Sequence, residues 1–264
     1  MEANLPSTNT TLSGFEMANE FADRVVVVTG AAQGLGLAVA RKFAGEGAIV
    51  FMTDVQAAKL EVATESIKSQ GGRVHAITVD GADPIALRGL RAAIEQRAAG
   101  RLDALINNAG GWRYATAKEV TPEDWSWTFR VNVDTMFFTT QALMDLMIGR
   151  RYGRIVNVAS SDAYRPKVKL PHYAAAKAAV VSLSKSLAEE LAPHEVLVNG
   201  VSPGAMLTET ARGQSWLPER IKQIPLGRAA EPDEMADLIL FLASPRNRFM
   251  VGETVIANGG LWMV

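Results

Sequence analysis

Short apolar runs alternate along the chain with longer stretches in which apolar residues recur at helical spacing. The runs are rich in β-branched residues and cover residues 24–29, 48–53, 73–79, 102–106, 153–158, 195–201 and 253–257. Continuous apolar runs of this length are typical of strands that a parallel sheet buries on both faces. Their alternation with helices predicts an α/β fold, a doubly wound parallel sheet of seven strands with helices on both faces.

Helical periodicity fills the segments between these runs. It predicts helices at residues 37–46, 57–70, 84–99, 124–151, 173–192 and 232–243. Residues 205–227 lack such periodicity, and their length predicts a lid over a substrate site. No strong linker interrupts the pattern, which predicts a polar tail over residues 1–22 and a single catalytic domain over residues 23–264.

Composition argues against several classes of protein. The 264 residues include no cysteine, 48% of them are hydrophobic and the formal net charge is -1, so we expect a soluble globular protein that does not bind nucleic acid. No apolar run of about 18 residues could span a bilayer, and residues 1–22 lack the features of a secretory signal, so we expect a cytoplasmic protein. The three histidines are scattered without ligand spacing, and no metal site is predicted.

A glycine-rich turn joins the first run to the first predicted helix. Gly30, Gly34 and Gly36 lie in this turn together with Gln33 and Leu35. Backbone N–H groups at a helix N-terminus form an anion site, and glycines allow a pyrophosphate to approach the backbone closely. The turn predicts a dinucleotide site in a three-layer αβα fold of Rossmann type, with an ordinary strand-to-helix turn as the alternative.

Asp54 ends the second run, roughly 20 residues beyond the glycines. A carboxylate at this position accepts hydrogen bonds from both ribose hydroxyls and repels a 2′-phosphate. We therefore predict NAD as the cofactor in preference to NADP. A solvated loop aspartate is the alternative interpretation.

Tyr173 and Lys177 are four residues apart, a spacing that places two side chains on one face of a helix. An ammonium beside a phenol favours the phenolate, so we expect Lys177 to lower the pKa of Tyr173 and create an acid/base group. Tyr114 and Lys118 have the same spacing, but they lie in a loop between a glycine turn and a predicted helix start. Context therefore favours the pair at 173 and 177.

Several motifs occur in a specific order and spacing over about residues 24–260. They comprise Thr29, Gly30, Gly34, Gly36, Asn107, Asn108, Ala109, Gly110, Asn132, Ser160, Tyr173, Lys177, Pro203 and Gly204. Together these motifs resemble those of the short-chain dehydrogenase/reductase family. The chain is most similar to the single-domain branch that contains 3-oxoacyl-carrier-protein reductases and secondary-alcohol dehydrogenases.

This resemblance implies four catalytic residues. Tyr173 would be the general acid/base, Lys177 would lower its pKa and hold the nicotinamide ribose, and Ser160 would hydrogen-bond the reacting oxygen. Asn132 would hold a water molecule that connects Lys177 to bulk solvent.

The resemblance also implies a set of cofactor-binding residues. These are Gly30, Gln33, Gly34, Leu35, Gly36, Asp54, Asp80, Gly81, Asn108, Ala109, Gly110, Tyr173, Lys177, Pro203, Gly204 and Thr208. Members that use NADP usually carry a basic residue at the position of Gln33 or Val55, and neither residue is basic here. This difference favours NAD.

The implied activity is hydride transfer between NAD(H) and a secondary alcohol or ketone. Two alternatives remain, an NADPH-linked 3-oxoacyl-thioester reductase and a non-catalytic NAD-binding regulator. The resemblance further implies a homotetramer or homodimer, in which residues 261–264 would join an apolar interface supplied by Met136, Phe137, Leu143, Leu146 and Met147.

Basic and aromatic residues surround the expected position of the reacting oxygen. The basic ones are Arg113, Arg165, Lys167, Lys169, His172 and Arg212. The candidate substrate-binding residues are Trp112, Arg113, Asp162, Tyr164, Arg165, Met206 and Trp216. These residues suggest an anionic or aromatic small-molecule substrate, and the alternative is solvated loop charges beside small satellite cores.

Overall fold

A single parallel sheet organises the computed structural model, which describes residues 19–263. Its strands are β1 (Val25–Thr29), β2 (Ile49–Asp54), β3 (Arg73–Thr78), β4 (Ala104–Asn107), β5 (Gly153–Val158), β6 (Val196–Pro203) and β7 (Thr254–Ala257). Their order across the sheet is β3-β2-β1-β4-β5-β6-β7, and every adjacent pair is parallel. The predicted seven-stranded fold of Rossmann type is confirmed.

Helices connect these strands and cover the sheet. They are α1 (Gly34–Gly45), α2 (Ala57–Lys68), α3 (Pro84–Ala98), α4 (Pro122–Phe129), α5 (Thr135–Ile148), α6 (Pro171–Leu191), α7 (Leu217–Lys222) and α8 (Pro232–Ala243). A π-helical turn, Arg130–Asp134, lies between α4 and α5, and a 3-10 turn, Ser161–Tyr164, follows β5.

Alternate residues of β1 face two separate hydrophobic clusters. Val26 and Val28 belong to a cluster that includes apolar residues of α1 and α8, whereas Val25 and Val27 belong to a cluster with α3, α5 and α6. Because successive side chains of a strand point to opposite faces, both faces of the sheet are buried. This burial explains why the strands appear in the sequence as continuous apolar runs.

The strand order reverses at β1, whose neighbours are β2 on one side and β4 on the other. The connections that follow β1 and β4 therefore leave in opposite directions and open a crevice at the carboxyl ends of the two strands. Doubly wound sheets bind ligands at such a point. Gly30 and Asn108 lie directly after these two strands.

Several element boundaries differ from the predicted ones. α1 begins at Gly34 because the last glycines of the turn enter the helix, and α6 begins at Pro171, whose ring favours the first helical turn. The single helix predicted over residues 124–151 is divided by the π-helical turn. The segment 205–227 contains α7, and Met206 forms a bridge with Ala230.

The folded part of the chain extends into the predicted polar tail. Phe21 is buried and packs edge-on against Phe43 of α1, with 4.7 Å between ring centroids. The apolar ring explains why residues 19–22 join the fold, while residues 1–18 of that prediction lie outside the described residues. Among residues 19–263, no helix combines the length and the apolar character needed to cross a membrane.

Candidate active site

One cavity of about 940 Å³ lies at the carboxyl edge of the sheet. Its walls come from the segments that follow β1, β2, β3, β4, β5 and β6, together with α6 and the region around α7. Of the sixteen predicted cofactor-binding residues, all except Gly36 line this cavity. We call it the central cavity.

The glycines of the β1–α1 turn allow very close backbone packing. Gly30 has φ +63°, and a Cβ at this residue would lie 2.8 Å from the Cα of Ala109. A Cβ on Gly36 would overlap the carbonyl oxygen of Gly30. Gly34 has φ +57°, and the nearest atom to its Cβ position is Thr208 Cγ2 at 3.5 Å. The turn thus forms a cradle in which the backbone faces the cavity.

Thr29 and Asn108 join this turn to the end of β4. The Thr29 hydroxyl oxygen accepts hydrogen bonds from the backbone N–H groups of Asn108 and Ala109, both at 3.0 Å. The Asn108 amide donates to the carbonyl oxygens of Thr29 at 2.9 Å and Gly30 at 3.1 Å. Thr29 belongs to the glycine motif but not to the predicted cofactor-binding set, although a polar residue that ends a buried apolar strand is a recognisable signal.

Asp54 lies where the adenosine end of a dinucleotide would be expected. Its carboxylate accepts hydrogen bonds from the backbone N–H groups of Ala32 at 3.2 Å and Gln56 at 2.9 Å. The Lys59 ammonium, which was not predicted to lie near this site, donates to the Gln33 side chain at 3.2 Å. The glycine cradle and the cavity-facing carboxylate together fit a nicotinamide dinucleotide.

The four predicted catalytic residues come together at the other end of the central cavity. Ser160 follows β5, Tyr173 and Lys177 lie one turn apart on α6, and Asn132 lies in the π-helical turn. The Lys177 ammonium donates to the Val158 carbonyl at 2.8 Å and lies 5.8 Å from the centroid of the Tyr173 ring.

Burial governs the protonation of the tyrosine and the lysine. The enclosed phenol of Tyr173 has a raised pKa because burial disfavours the phenolate, although its hydrogen bond with Ser160 opposes this shift. Burial lowers the pKa of Lys177 to about 8. The Lys177 ammonium is directed to the Val158 carbonyl and is itself desolvated, so the expected lowering of the Tyr173 pKa by Lys177 stays a prediction.

The π-helical turn fixes the amide of Asn132 against the backbone after β4. Its Nδ2 donates to the carbonyls of Thr128 and Gly111, both at 2.8 Å, and its Oδ1 accepts from the Gly111 N–H at 3.3 Å. A Cβ on Gly110 would lie 2.7 Å from this Oδ1 and 3.2 Å from Lys177 Nζ. Asn132 and Lys177 therefore both border Gly110, and glycine is needed there.

The geometry agrees with comparisons to known proteins. The family model of the short chain dehydrogenase matches residues 24–216. The chain belongs to the short-chain dehydrogenase family. It is an oxidoreductase of this family, whose members generally bind a nicotinamide cofactor, and the predicted resemblance is confirmed.

Similar proteins in the family include enzymes and solved structures. A 3-oxoacyl-[acyl-carrier-protein] reductase of Thermotoga maritima is 35% identical over 90% of this chain and 97% of its own length. A galactitol 2-dehydrogenase of Agrobacterium fabrum is 32% identical over 91% and 98% of the two chains. A short-chain type dehydrogenase/reductase from Mycobacterium marinum superposes with a TM-score of 0.89 at 31% identity, covering 94% and 98%.

Five of the seven predicted substrate residues line the central cavity of this short-chain dehydrogenase, namely Trp112, Asp162, Arg165, Met206 and Trp216. Tyr164 does not line it. Arg113 also lies outside the lining, because it pairs with Asp124 at 2.9 Å and stacks 4.2 Å from the Trp127 ring centroid.

Two further basic candidates do not line the cavity. Arg212 pairs with Glu231 at 3.0 Å, and His172 is fully buried. The lining residues that were not predicted include Tyr114 and Arg220. Lys118, the partner of Tyr114 in the second tyrosine–lysine pair, does not. Within residues 19–263, no group of three or more His, Asp or Glu side chains is arranged to hold a metal ion.

Proposed function

We propose that this protein is an NAD-dependent oxidoreductase that interconverts a secondary alcohol and a ketone. The observation that carries the proposal is the convergence of Ser160, Tyr173, Lys177 and Asn132 in the same cavity as the glycine cradle. A site with this composition can bind a dinucleotide at one end and move a proton at the other. The named substrate of the galactitol dehydrogenase relative, a polyol oxidised at carbon 2, supports a secondary alcohol.

In this proposal the side chains manage the proton and the position of the reacting oxygen. Bound NAD(H) accepts or supplies the hydride. The Tyr173 phenol, whose pKa is raised by burial, is protonated at neutral pH and can donate its proton to a ketone oxygen. Ser160 holds that oxygen by a hydrogen bond, and the Lys177 ammonium holds the nicotinamide ribose.

The proton then needs a route between Tyr173 and solvent. Lys177 lies one helical turn from Tyr173 and borders Gly110 together with Asn132. A pKa of about 8 allows Lys177 to exchange protons near neutral pH. We propose that Asn132 orients the water that connects Lys177 to solvent.

The carboxylate of Asp54 supports NAD as the cofactor. It lines the central cavity and is fixed by two backbone N–H groups, so a 2′-phosphate would meet a negative charge held in place. The exposed Lys59 is the nearby cation that NADP could use, but it is hydrogen-bonded to Gln33. We therefore expect kcat/KM for NAD to exceed that for NADP.

A second candidate function is NADPH-linked reduction of a 3-oxoacyl thioester. It is favoured by the name of the Thermotoga maritima relative, which is 35% identical to this chain. Acetoacetyl-coenzyme A with NADPH tests this candidate. Faster turnover in that assay than with any secondary alcohol and NAD would favour it over our proposal.

The test of the proposed function assays Tyr173→Phe and the unmodified enzyme with a panel of secondary alcohols and with NAD or NADP. Turnover is measured from the absorbance of the reduced nicotinamide. We expect turnover to fall by at least about 100-fold because the transferable proton is lost, while the Kd for NAD changes less than about twofold. Tyr164→Phe, the same change on a tyrosine outside the cavity lining, should retain turnover. Substantial activity in Tyr173→Phe would contradict the assignment, and NAD binding without any turnover in the unmodified enzyme would favour a regulator.

A further inference from the structure

The substrate end of the central cavity contains more positive than negative side chains. Four basic residues line it, Arg165, Lys167, Lys169 and Arg220, against the acidic residues Asp162 and Glu219. Lys167 pairs with Asp162 at 3.2 Å, and Glu219 pairs with Lys222, which does not line the cavity, at 2.7 Å. The remaining cations therefore lack counter-charges among the lining residues of this end.

Arg165 and Arg220 are the half-buried members of this unbalanced set. Within residues 19–263, neither has a carboxylate oxygen within 4.0 Å of its guanidinium nitrogens. Arg220 makes a long hydrogen bond of 3.5 Å to Gln223, and Arg165 lies 5.8 Å from the Trp262 ring centroid. Each guanidinium thus retains N–H donors for a further acceptor.

Both arginines line the cavity together with Lys167, which is paired with Asp162. Burial lowers the pKa of Lys167, and repulsion from Arg220 and Arg165 adds to this effect against the opposing attraction of Asp162. Positive charges that lie together in a partly desolvated cavity repel one another, which is energetically unfavourable. An anion bound between them would remove this cost and gain charge-assisted hydrogen bonds.

Aromatic rings connect this basic region with the reacting centre. Trp112 lies 6.1 Å from Tyr173 between ring centroids. Tyr114 and Trp216 line the same cavity. Burial raises the pKa of Tyr114, and the charge of Arg220 opposes this shift. We call Trp112, Tyr114 and Trp216 the aromatic wall. Trp112 lies beside the tyrosine that handles the proton, and all three aromatic residues line the cavity together with the two unpaired arginines.

We propose that the substrate is a secondary alcohol, or the matching ketone, that carries an aromatic ring and a carboxylate, and that Arg165 and Arg220 bind the carboxylate. The ring packs along the aromatic wall, so that the carboxylate reaches the arginines while the alcohol carbon lies at Tyr173. A planar carboxylate matches the fork of a guanidinium, and stacking on aromatic faces orients the ring. This inference rests on the proposed alcohol–ketone chemistry of the same cavity.

The test compares two alcohols that differ in charge alone, 4-(1-hydroxyethyl)benzoate and 4-(1-hydroxyethyl)benzamide. We expect kcat/KM with NAD to be at least about tenfold higher for the benzoate, because charge-assisted hydrogen bonds form with it alone. Arg165→Gln or Arg220→Gln should raise KM for the benzoate about tenfold and leave the benzamide unchanged. Arg212→Gln, an arginine of the neighbouring loop that is paired with Glu231, should change neither substrate.

Equal kcat/KM for the two alcohols, or an equal loss for both in Arg165→Gln and Arg220→Gln, would overturn the carboxylate site while leaving the alcohol–ketone chemistry in place. Failure of the proposed chemistry appears differently, as absence of turnover for both alcohols and both ketones with either cofactor. In that case, calorimetric titration with 4-acetylbenzoate and 4-acetylbenzamide tests the carboxylate site through binding alone. Tighter binding of the benzoate that Arg165→Gln abolishes supports the site, and equal Kd values overturn it.

Discussion

At the scale of one residue, Lys177 places an ammonium group in the buried wall of the cavity, where burial disfavours its charge. The side chain is buried, and its ammonium donates to the Val158 carbonyl rather than to a carboxylate. Burial without a counter-ion lowers the pKa of Lys177 to about 8 from an ordinary value of 10.5. The folded chain therefore binds the lysine proton less tightly than the unfolded chain does.

Lys177→Met should stabilise the protein at pH 7 while abolishing its activity. Below pH 8 the wild type holds a protonated buried lysine, and we expect removing it to raise the free energy of unfolding by about 2 kcal/mol, since each pKa unit corresponds to about 1.4 kcal/mol and the bond to Val158 is lost. Between pH 8 and 10.5 only the unfolded chain carries the lysine proton. The free energy of unfolding of the wild type therefore rises with pH in this range and approaches that of the variant. Urea denaturation at pH 7 and pH 10 measures the free energy of unfolding of both proteins. A difference between the two proteins that is the same at both pH values would contradict the prediction.

Basic residues of the substrate loops illustrate what the sequence could not reveal. Arg113, Arg165 and Arg212 looked equivalent as loop arginines, but Asp124 and Glu231 neutralise the first and the last. Arg220 lies in a segment interpreted as an irregular loop, and its place at the cavity depends on how α7 folds back. Ion pairs of this kind depend on tertiary position, which local composition does not encode.

At the scale of elements, two glycines that both lie in helices differ in the space around their Cβ positions. Gly36 lies in the first turns of α1, where a Cβ would overlap the carbonyl oxygen of Gly30 and lie 2.5 Å from Asn108 Nδ2. Gly89 lies in α3 and is exposed, with no atom within 4 Å of its Cβ position among the described residues. Gly36 is therefore needed for the close packing of the dinucleotide cradle, whereas no close contact requires a glycine at position 89.

The same substitution should therefore have opposite effects at these two positions. Gly36→Ala is expected to destabilise the protein by at least about 2 kcal/mol because the β1–α1 turn must open, and to weaken NAD binding. Gly89→Ala is expected to stabilise it by about 0.5–1 kcal/mol, since alanine restricts the unfolded chain and favours the helix. Thermal unfolding and a Kd measurement for NAD test both. Equal changes in melting temperature would contradict the role assigned to Gly36.

The division of the long helix into α4, a π-helical turn and α5 lay beyond the sequence pattern. A π-helical turn adds one residue to a helical turn, which barely changes apolar periodicity over residues 124–151. Yet this turn positions the Asn132 amide against Gly111 and Thr128. Asn132 could be named from its motif, whereas the reason that it reaches the cavity required the structure.

At the scale of the whole molecule, the sheet and its ligand crevice followed from the sequence more completely than the substrate end did. Alternating apolar runs and helices restrict the chain to parallel crossovers, and the glycines after β1 identify the strand at which the order reverses. Those signals are local in the chain. The aromatic wall and its unpaired arginines instead combine residues from separate loops, so neither periodicity nor spacing could predict their grouping.

The edge of the sheet at β7 leads to a prediction about assembly. Met136, Leu143 and Met147, predicted to supply an interface on the long helix, are buried in the core of the chain itself. β7 instead pairs with β6 alone among the described strands and stays half-exposed. Trp262 and Met263 lie beside it around a second concavity. An unpaired edge with exposed apolar side chains favours association with another copy.

We therefore expect sedimentation velocity at about 10 µM to show a dimer or tetramer, because an interface of ordinary size gives stable association at this concentration. Met263→Glu should shift the distribution to smaller species, since it places a charge beside the β7 edge. Val62→Glu makes the same kind of change on an exposed residue of α2, next to the opposite edge of the sheet, and should leave the distribution unchanged. A wild-type monomer, or dissociation by Val62→Glu in place of Met263→Glu, would contradict an interface at β7.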